Sequence, residues 1–416
     1  MPDWLVVDHY VLDQCWENAL RKLVKRIMVI DDLADRVHDC DILLDQNLVA
    51  QMHTRYADKV PTACGMLLGP EYALLQLIYA ELHERIPPRE GPIRRIFIFF
   101  GGADSDNLTG RTLAAFLKLN RPDIEVDVVI TTGSPHAEAI RQQVAGHRNI
   151  QLHGDLLTLA PLMAKADLAV GAGGATSWER LCLGLPTLVV TLAENQRPIA
   201  DGLSQRGLIS WLGHQDEVDE PALLQAISRL IQQDLDEEWS MRCLAVVDGQ
   251  GVNRVCAALT VTATTPLRAR QAKLNDESLL LEWANDPTCR RNSFSPERIT
   301  EEDHEKWFHE HLSDLDGCRL YIVETTDGMP LGQVRFERKE ERAWEVHYSL
   351  APVFRGRGLG RVLLEAALQK LRADVGEALI FGRVKDGNHP SRKIFESLGF
   401  KSERDTKGVV VYQSVF

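Results

Sequence analysis

Six residues, Arg355-Gly356-Arg357-Gly358-Leu359-Gly360, constrain the fold of this chain more than any others. They follow an alternating segment, Trp344-Glu345-Val346-His347-Tyr348-Ser349-Leu350, that reads as a strand, and they precede Arg361–Leu368, which has helical spacing. A strand, a glycine-rich turn and a helix start form an anion cradle. Glycine lets the backbone approach a phosphate, N–H groups point at it, and the helix dipole favours negative charge. Two arginines add cationic charge. The spacing is G-x-G-x-G rather than the G-x-G-x-x-G of dinucleotide sites, which weakens a nicotinamide reading.

A second segment answers the first: Asn388-His389-Pro390-Ser391-Arg392-Lys393-Ile394-Phe395-Glu396-Ser397-Leu398-Gly399-Phe400. Pro390 and Ser391 suit a helix start and Gly399 its stop. Together the segments resemble the acyl-CoA-binding core of the GNAT N-acetyltransferases, whose pattern is Q/R-x-x-G-x-G/A, then N-x-x-A/S, an aromatic residue and G-F. The resemblance covers 266–416, a length that suits one α/β core. It implies acetyl-CoA as cofactor. Backbone amides of Arg355, Gly356, Arg357, Gly358, Leu359 and Gly360 would hold its pyrophosphate, and Asn388 and Ser391 would line the pantetheine and pyrophosphate path. Many family members carry tyrosine where this chain has Phe395, and that hydroxyl can reprotonate the leaving CoA thiolate. Phe395 cannot, so the proton comes from water or another group.

An amine must lose a proton before it attacks a thioester. On the strand before the glycine loop, Glu345, His347 and Ser349 share one face, and Val346, Tyr348 and Leu350 share the other. The apolar face is expected in the core and the polar face toward the acceptor. Glu345 or His347 is then the candidate base, directly or through water; the alternative is a solvated strand face. The opening of this domain, Leu279–Pro287 with Arg290, Arg291 and Glu302–Phe308, looks like the GNAT branch that acetylates amino sugars on nucleotides, or protein N-termini. Trp283 and Trp307 read as core rather than as sugar platforms.

Residues 92–262 carry a different signature. An apolar run at Ile93–Phe100 reads as a buried parallel strand, Ile124–Thr131, Ala166–Val170 and Leu185–Val190 read as further strands, and helical stretches alternate with them. Polar loops follow: Gly101–Thr109, Gly171–Arg180 and Glu194-Asn195-Gln196, all at carboxyl ends, where doubly wound sheets bind ligands. Gly173, Gly174, Thr176 and Ser177 suit a diphosphate, and Glu179 could accept hydrogen bonds from a ribose diol. This order resembles the C-terminal half of GT-B nucleotide-sugar enzymes. The segments from Phe99 to Gln196 are similar, more closely, to the UDP-2,4-diacetamido-2,4,6-trideoxy-β-L-altropyranose hydrolases of pseudaminic acid synthesis. The resemblance implies a UDP-sugar partner, displacement of UDP by water, and a site that includes Gly102 and Asn107, with Asn195 and Gln196 holding the sugar.

Residues 1–86 read as part of a first Rossmann-like half, with strands at Asp3–Tyr10, Lys25–Asp32 and Asp41–Asn47. Tyr10 matches a position near the sugar in that family. The family's G-x-G-H loop, whose histidine is the implied base, has no counterpart here, and His9 follows a later strand. The expectation is an N-terminally truncated, incomplete first sheet with weak or absent hydrolysis. The whole reading is α/β: GT-B-like doubly wound parallel sheets, then a GNAT domain, with breaks at Arg85–Pro92 and Thr260–Pro266.

A net charge of −13 disfavours nonspecific nucleic-acid binding. No apolar run is long enough to span a bilayer, and the N-terminus lacks a signal pattern. The eight cysteines are scattered without a C-x-x-C pair, so no metal site is expected and a reducing, cytoplasmic setting is the simplest reading. Oligomeric state is left open. The leading functional expectation is acetyl-CoA-dependent N-acetylation of a UDP-4-amino-4,6-dideoxy-sugar beside a UDP-sugar hydrolase module. The alternative is a glycosyltransferase-like or degenerate UDP-sugar-binding module fused to a protein or small-amine N-acetyltransferase.

Overall fold

Short apolar runs, covered on both faces and too brief for helices, become parallel strands through the first part of the chain. The computed structural model describes residues 1–102, 104–404 and 409–416. The chain divides by its internal contacts into Met1–Val255 and Cys256–Phe416, and the division falls inside the helix Gly251–Thr260.

The first unit holds two sheets. β1 (Trp4–Asp8), β2 (Arg26–Ile30), β3 (Ile42–Asp45) and β4 (Gly65–Leu68) lie parallel in that order. β5 (Arg95–Phe99), β6 (Glu125–Val129), β7 (Ile150–His153), β8 (Leu168–Ala172), β9 (Thr187–Thr191) and β10 (Ser210–His214) form a second parallel sheet. Its spatial order is 10-9-8-5-6-7. The chain enters at the middle, winds outward through β7, then returns to β8 beside β5. That reversal opens a crevice beyond the carboxyl ends of β5 and β8, where neighbouring connections leave in opposite directions. One core ties the two sheets together, packing Leu48, Leu75 and Tyr79 against Phe97, Val189 and Leu203.

The second unit is a mixed sheet of β11 (Leu267–Gln271), β12 (Cys318–Thr325), β13 (Pro330–Glu340), β14 (Ala343–Leu350), β15 (Leu379–Lys385), β16 (Lys401–Arg404) and β17 (Val409–Val415). Neighbours run antiparallel in the order 11-12-13-14-15-17-16, except for the parallel pair β14–β15. That pair is joined only from Ala343–Glu345 to Leu379–Phe381. Among the described residues, Val346–Leu350 therefore have no strand partner on that side, and the sheet opens there. The helix Leu359–Val375 covers the sheet with Leu363, Leu364, Ala367, Leu368 and Leu371, spaced along one face. Among the described residues no helix is long and apolar enough to cross a membrane.

Candidate functional site

The opening beside β14 is a cleft of about 1250 Å3. Gly356, Gly358, Leu359, Gly360 and Arg361 line one end, with Asn388, His389, Pro390 and Ser391 opposite. Gly356 and Gly358 take left-handed φ values of 72° and 74°, which turn the chain from the strand into the helix Leu359–Val375. That helix begins with no side-chain cap, so its first N–H groups are left for a ligand or water. Gly360 permits close packing: a Cβ there would lie 2.4 Å from Ile394 Cδ1. Asn388 Oδ1 accepts a hydrogen bond from Ser391 N at 3.3 Å and caps the helix His389–Ser397.

The two loop arginines do something the sequence did not reveal. Arg355 donates to Asp286 Oδ1 at 2.6 Å and to the Leu350 carbonyl at 3.1 and 3.0 Å. Arg357 donates to the Ala258 carbonyl. Both guanidinium groups brace the turn, which leaves its backbone to meet an anion. Arg361 and Lys393 also line the cleft, which sequence reasoning missed; helical spacing after the glycine turn was the signal that could have pointed to Arg361.

β14 presents His347, Tyr348 and Ser349 to the cleft, and Tyr348 Oη lies 2.8 Å from Ser391 Oγ. Glu345 is buried at 3% exposure and is not part of the lining. Its Oε1 accepts from Arg383 Nε on β15 at 2.6 Å and lies 3.9 Å from His347 Nε2. Burial, reinforced by the nearby Arg335 guanidinium, pushes the His347 imidazole down to about 4, so the ring is neutral at pH 7. Arg335 sits under the Trp307 ring, 4.9 Å from its centre. Trp307 lines the cleft, with the buried His304 beside it, whereas Trp283 is in the core as the sequence suggested. Leu280, Ala284, Phe294 and Ile299 complete an apolar wall. Ligand atoms of Glu337, Glu345 and His347 lie within 4.8 Å of one another. Their carboxylates already face Arg335 at 2.9 Å, Lys339 at 2.7 Å and Arg383 at 2.6 Å, so a metal ion would have to displace resident cations.

In the first unit a smaller crevice of about 350 Å3 lies at the β5–β8 switch point. Of the residues expected there, Gly102, Gly174, Thr176 and Gln196 converge, beside Asp104 and Gln215. The others do not line it. Gly173 packs behind the crevice, where an added Cβ would lie 3.1 Å from Thr191 Cγ2. The Ser177 hydroxyl turns inward and accepts from the buried Arg180 Nη2 at 3.0 Å. Burial raises the Glu179 carboxyl, a shift that its contact with Tyr79 partly offsets. Asn195 is exposed at the start of the helix Gln196–Gln205. Asn107 is spent on capping, accepting from Gly110 N at 3.2 Å. Tyr10 follows β1 and is 62% exposed, its hydroxyl 3.5 Å from Asp32 Oδ2.

Comparison with known proteins divides the chain in the same way. Residues 267–401 match the acetyltransferase (GNAT) domain, and residues 95–249 match the glycosyltransferase family 28 C-terminal domain. An uncharacterised protein of Methanocaldococcus jannaschii is 22% identical over 97% of this chain and 82% of its own length. The spore coat polysaccharide biosynthesis protein SpsG of Bacillus subtilis is 30% identical over 46% of this chain and 57% of its own length. The UDP-2,4-diacetamido-2,4,6-trideoxy-beta-L-altropyranose hydrolase of Campylobacter jejuni is 26% identical over 49% and 71%. The chain thus joins a sugar-nucleotide-type α/β module to a GNAT N-acetyltransferase domain. Acetyl-CoA is the cofactor of such a domain, and the glycine cradle with its uncapped helix fits it.

Proposed function

We propose that the chain carries out two steps on one amino sugar. The GNAT cleft acetylates the amine of a UDP-4-amino-4,6-dideoxy-sugar, and the first unit binds the product and releases UDP to water. The observation that carries this reading is the pairing on one chain of a GNAT cleft with a module similar to a hydrolase whose named substrate bears two acetamido groups. Transfer of an acetyl group to an amine makes such a group.

The residues divide the work. Backbone amides from Arg355 to Gly360 hold the pyrophosphate, and Asn388 and Ser391 shape the pantetheine path. Acetyl-CoA, when bound, supplies an acetyl group activated as a thioester. Glu345, fixed by Arg383, lies 3.9 Å from His347 Nε2, beyond hydrogen-bond reach, and only its charge favours a proton on that nitrogen. Nδ1 is then left to take the amine proton, directly or through water. Glu345 is a positioning residue in this scheme and His347 the base. In the first unit, Gly102, Gly174, Thr176 and Gln196 surround the UDP-sugar.

The test is a product assay by mass spectrometry with acetyl-CoA and a UDP-4-amino-4,6-dideoxy-sugar. An acetylated sugar nucleotide and free UDP are expected. His347→Gln should slow acetylation by about 10²-fold, the low end for a lost general base, without slowing UDP release from pre-acetylated substrate. Acetylation of peptides or polyamines with the UDP-sugar untouched would overturn the acceptor assignment. Acetylation without UDP release would remove the second step.

A further inference from the structure

Acyl transfer leaves the electron pair of the C–S bond on sulfur, and a thiolate whose conjugate acid has a pKa of roughly 8.5 leaves more readily when it is protonated. Near the glycine loop the aromatic side chain at 395 brings no proton: Phe395 is buried, stacked on Tyr412 with ring centres 5.1 Å apart. Lys393 and His389 line the same end but are exposed, with no partner among the described contacts that fixes them. The Tyr348 and Ser391 hydroxyls, both in the cleft wall, hold each other. Tyr348 Oη and Ser391 Oγ lie 2.8 Å apart, a hydrogen bond between β14 and the helix that faces it.

Each hydroxyl is held by its own element. Tyr348 belongs to the stretch of β14 that lacks a strand partner toward β15, and its ring meets Phe395 edge-on at 5.9 Å. Ser391 stands in the first turn of its helix, where Asn388 holds its N–H. The phenol therefore reaches the cleft from the strand side, while the serine joins it to the side that shapes the pantetheine path.

We propose that Tyr348 donates the proton to the departing CoA thiolate and that Ser391 resupplies it. The amine nitrogen forms the C–N bond, the C–S bond breaks with its pair to sulfur, and the Tyr348 O–H proton moves to that sulfur. The Ser391 hydroxyl returns a proton to the phenolate and is itself reprotonated by water, while the proton lost by nitrogen leaves through His347 or water. Amine and thioester thus become amide and thiol. Burial keeps the Tyr348 phenol pushed up to about 12, so it carries its proton across the working pH range. The inference rests on acetyl-CoA as the donor in this cleft and not on the identity of the acceptor.

The test uses CoA alone on the whole chain. The thiol of bound CoA is titrated by its ultraviolet thiolate absorbance in wild type, Tyr348→Phe and Ser391→Ala. An O–H that donates to the sulfur stabilises the thiolate, so the bound thiol should be roughly tenfold more acidic in wild type than in Tyr348→Phe, as for a charge-assisted hydrogen bond. CoA affinity below that titration and the melting temperature should stay unchanged. Ser391→Ala, which leaves the core intact, should move the titration the same way by less. The kcat for acetyl transfer should fall about 10²-fold in Tyr348→Phe, with KM for acetyl-CoA unchanged. Identical titrations in all three proteins, with CoA bound, would overturn the assignment of Tyr348. Failure of the wild type to bind CoA would instead overturn the donor reading on which it rests.

Discussion

The glycine-led turns after Gly101 and after Gly356 both open helices, and they end in opposite states. After Gly101, the Asp104 carboxylate accepts from Leu108 N at 2.8 Å and Thr109 N at 3.0 Å, and Asn107 takes Gly110 N. The helix Leu108–Lys118 starts with these N–H groups satisfied by its own loop. After Gly356, no side chain turns back, and the helix Leu359–Val375 starts open. Glycine specifies the bend in both places. Whether the bend is an anion cradle depends on what stands just before the helix: a short acceptor side chain fills the site, and its absence leaves it to a ligand.

The largest effect expected from breaking this contrast is at Gly360. Gly360→Val forces a side chain into Ile394 and should destabilise the second unit by about 1–3 kcal/mol, as overpacking does, and weaken CoA binding with it. Thermal melts beside calorimetric CoA titrations check this; full CoA affinity in a destabilised protein would show that the cradle does not need the close helix contact. Next comes the filled start. Asp104→Ala should cost the first unit about 1–2 kcal/mol through its lost cap, while acetyl transfer is unchanged. A melting curve unmoved by this substitution would remove the distinction between the two turns. Gly356→Ala is gentler, because nothing lies within 4 Å of the added Cβ. Only the left-handed φ is strained, at about 1 kcal/mol, and CoA should still bind.

The smallest effect is one of pH. A base must be unprotonated, so acetylation that uses His347 is lost as pH falls through its pKa of about 4. The Arg335 cation helps hold that value down. Arg335→Gln should therefore move the acid limb of kcat/KM upward, read from a pH–rate profile; an unmoved limb would take His347 out of the base role.

Much of the architecture was legible because its signals are local. The segments that became β5, β8 and β9 are mainly apolar, β6 interleaves Glu125 and Asp127 with valines, and the segment around Tyr348 alternates with period two. β4, at four residues, and β7 and β10, whose apolar residues are interrupted by Gln151 and Gly213, carry too little pattern to stand apart from loop. Trp307 packs against the core, as expected, and also lines the cleft, where its ring lies over Arg335. Spacing identifies the inner face of a helix but does not say whether that face meets side chains or a cleft.

The sequence by itself determined where the chain turns, which segments alternate, and that one glycine loop and one Asn388–Phe400 segment belong to a single acyl-CoA core. The turns and the alternation follow from backbone freedom and side-chain period, which act over a few residues; the shared acyl-CoA core follows from the resemblance of both segments to the GNAT pattern. Only the tertiary structure decided that Glu345 is enclosed by an arginine 38 residues away and that Tyr348 meets Ser391 across 43 residues. It also decided that the loop arginines brace the turn from within. Hydrogen-bond partners of buried polar groups are chosen by packing between distant elements, because a buried donor or acceptor must be satisfied by whatever the fold brings beside it.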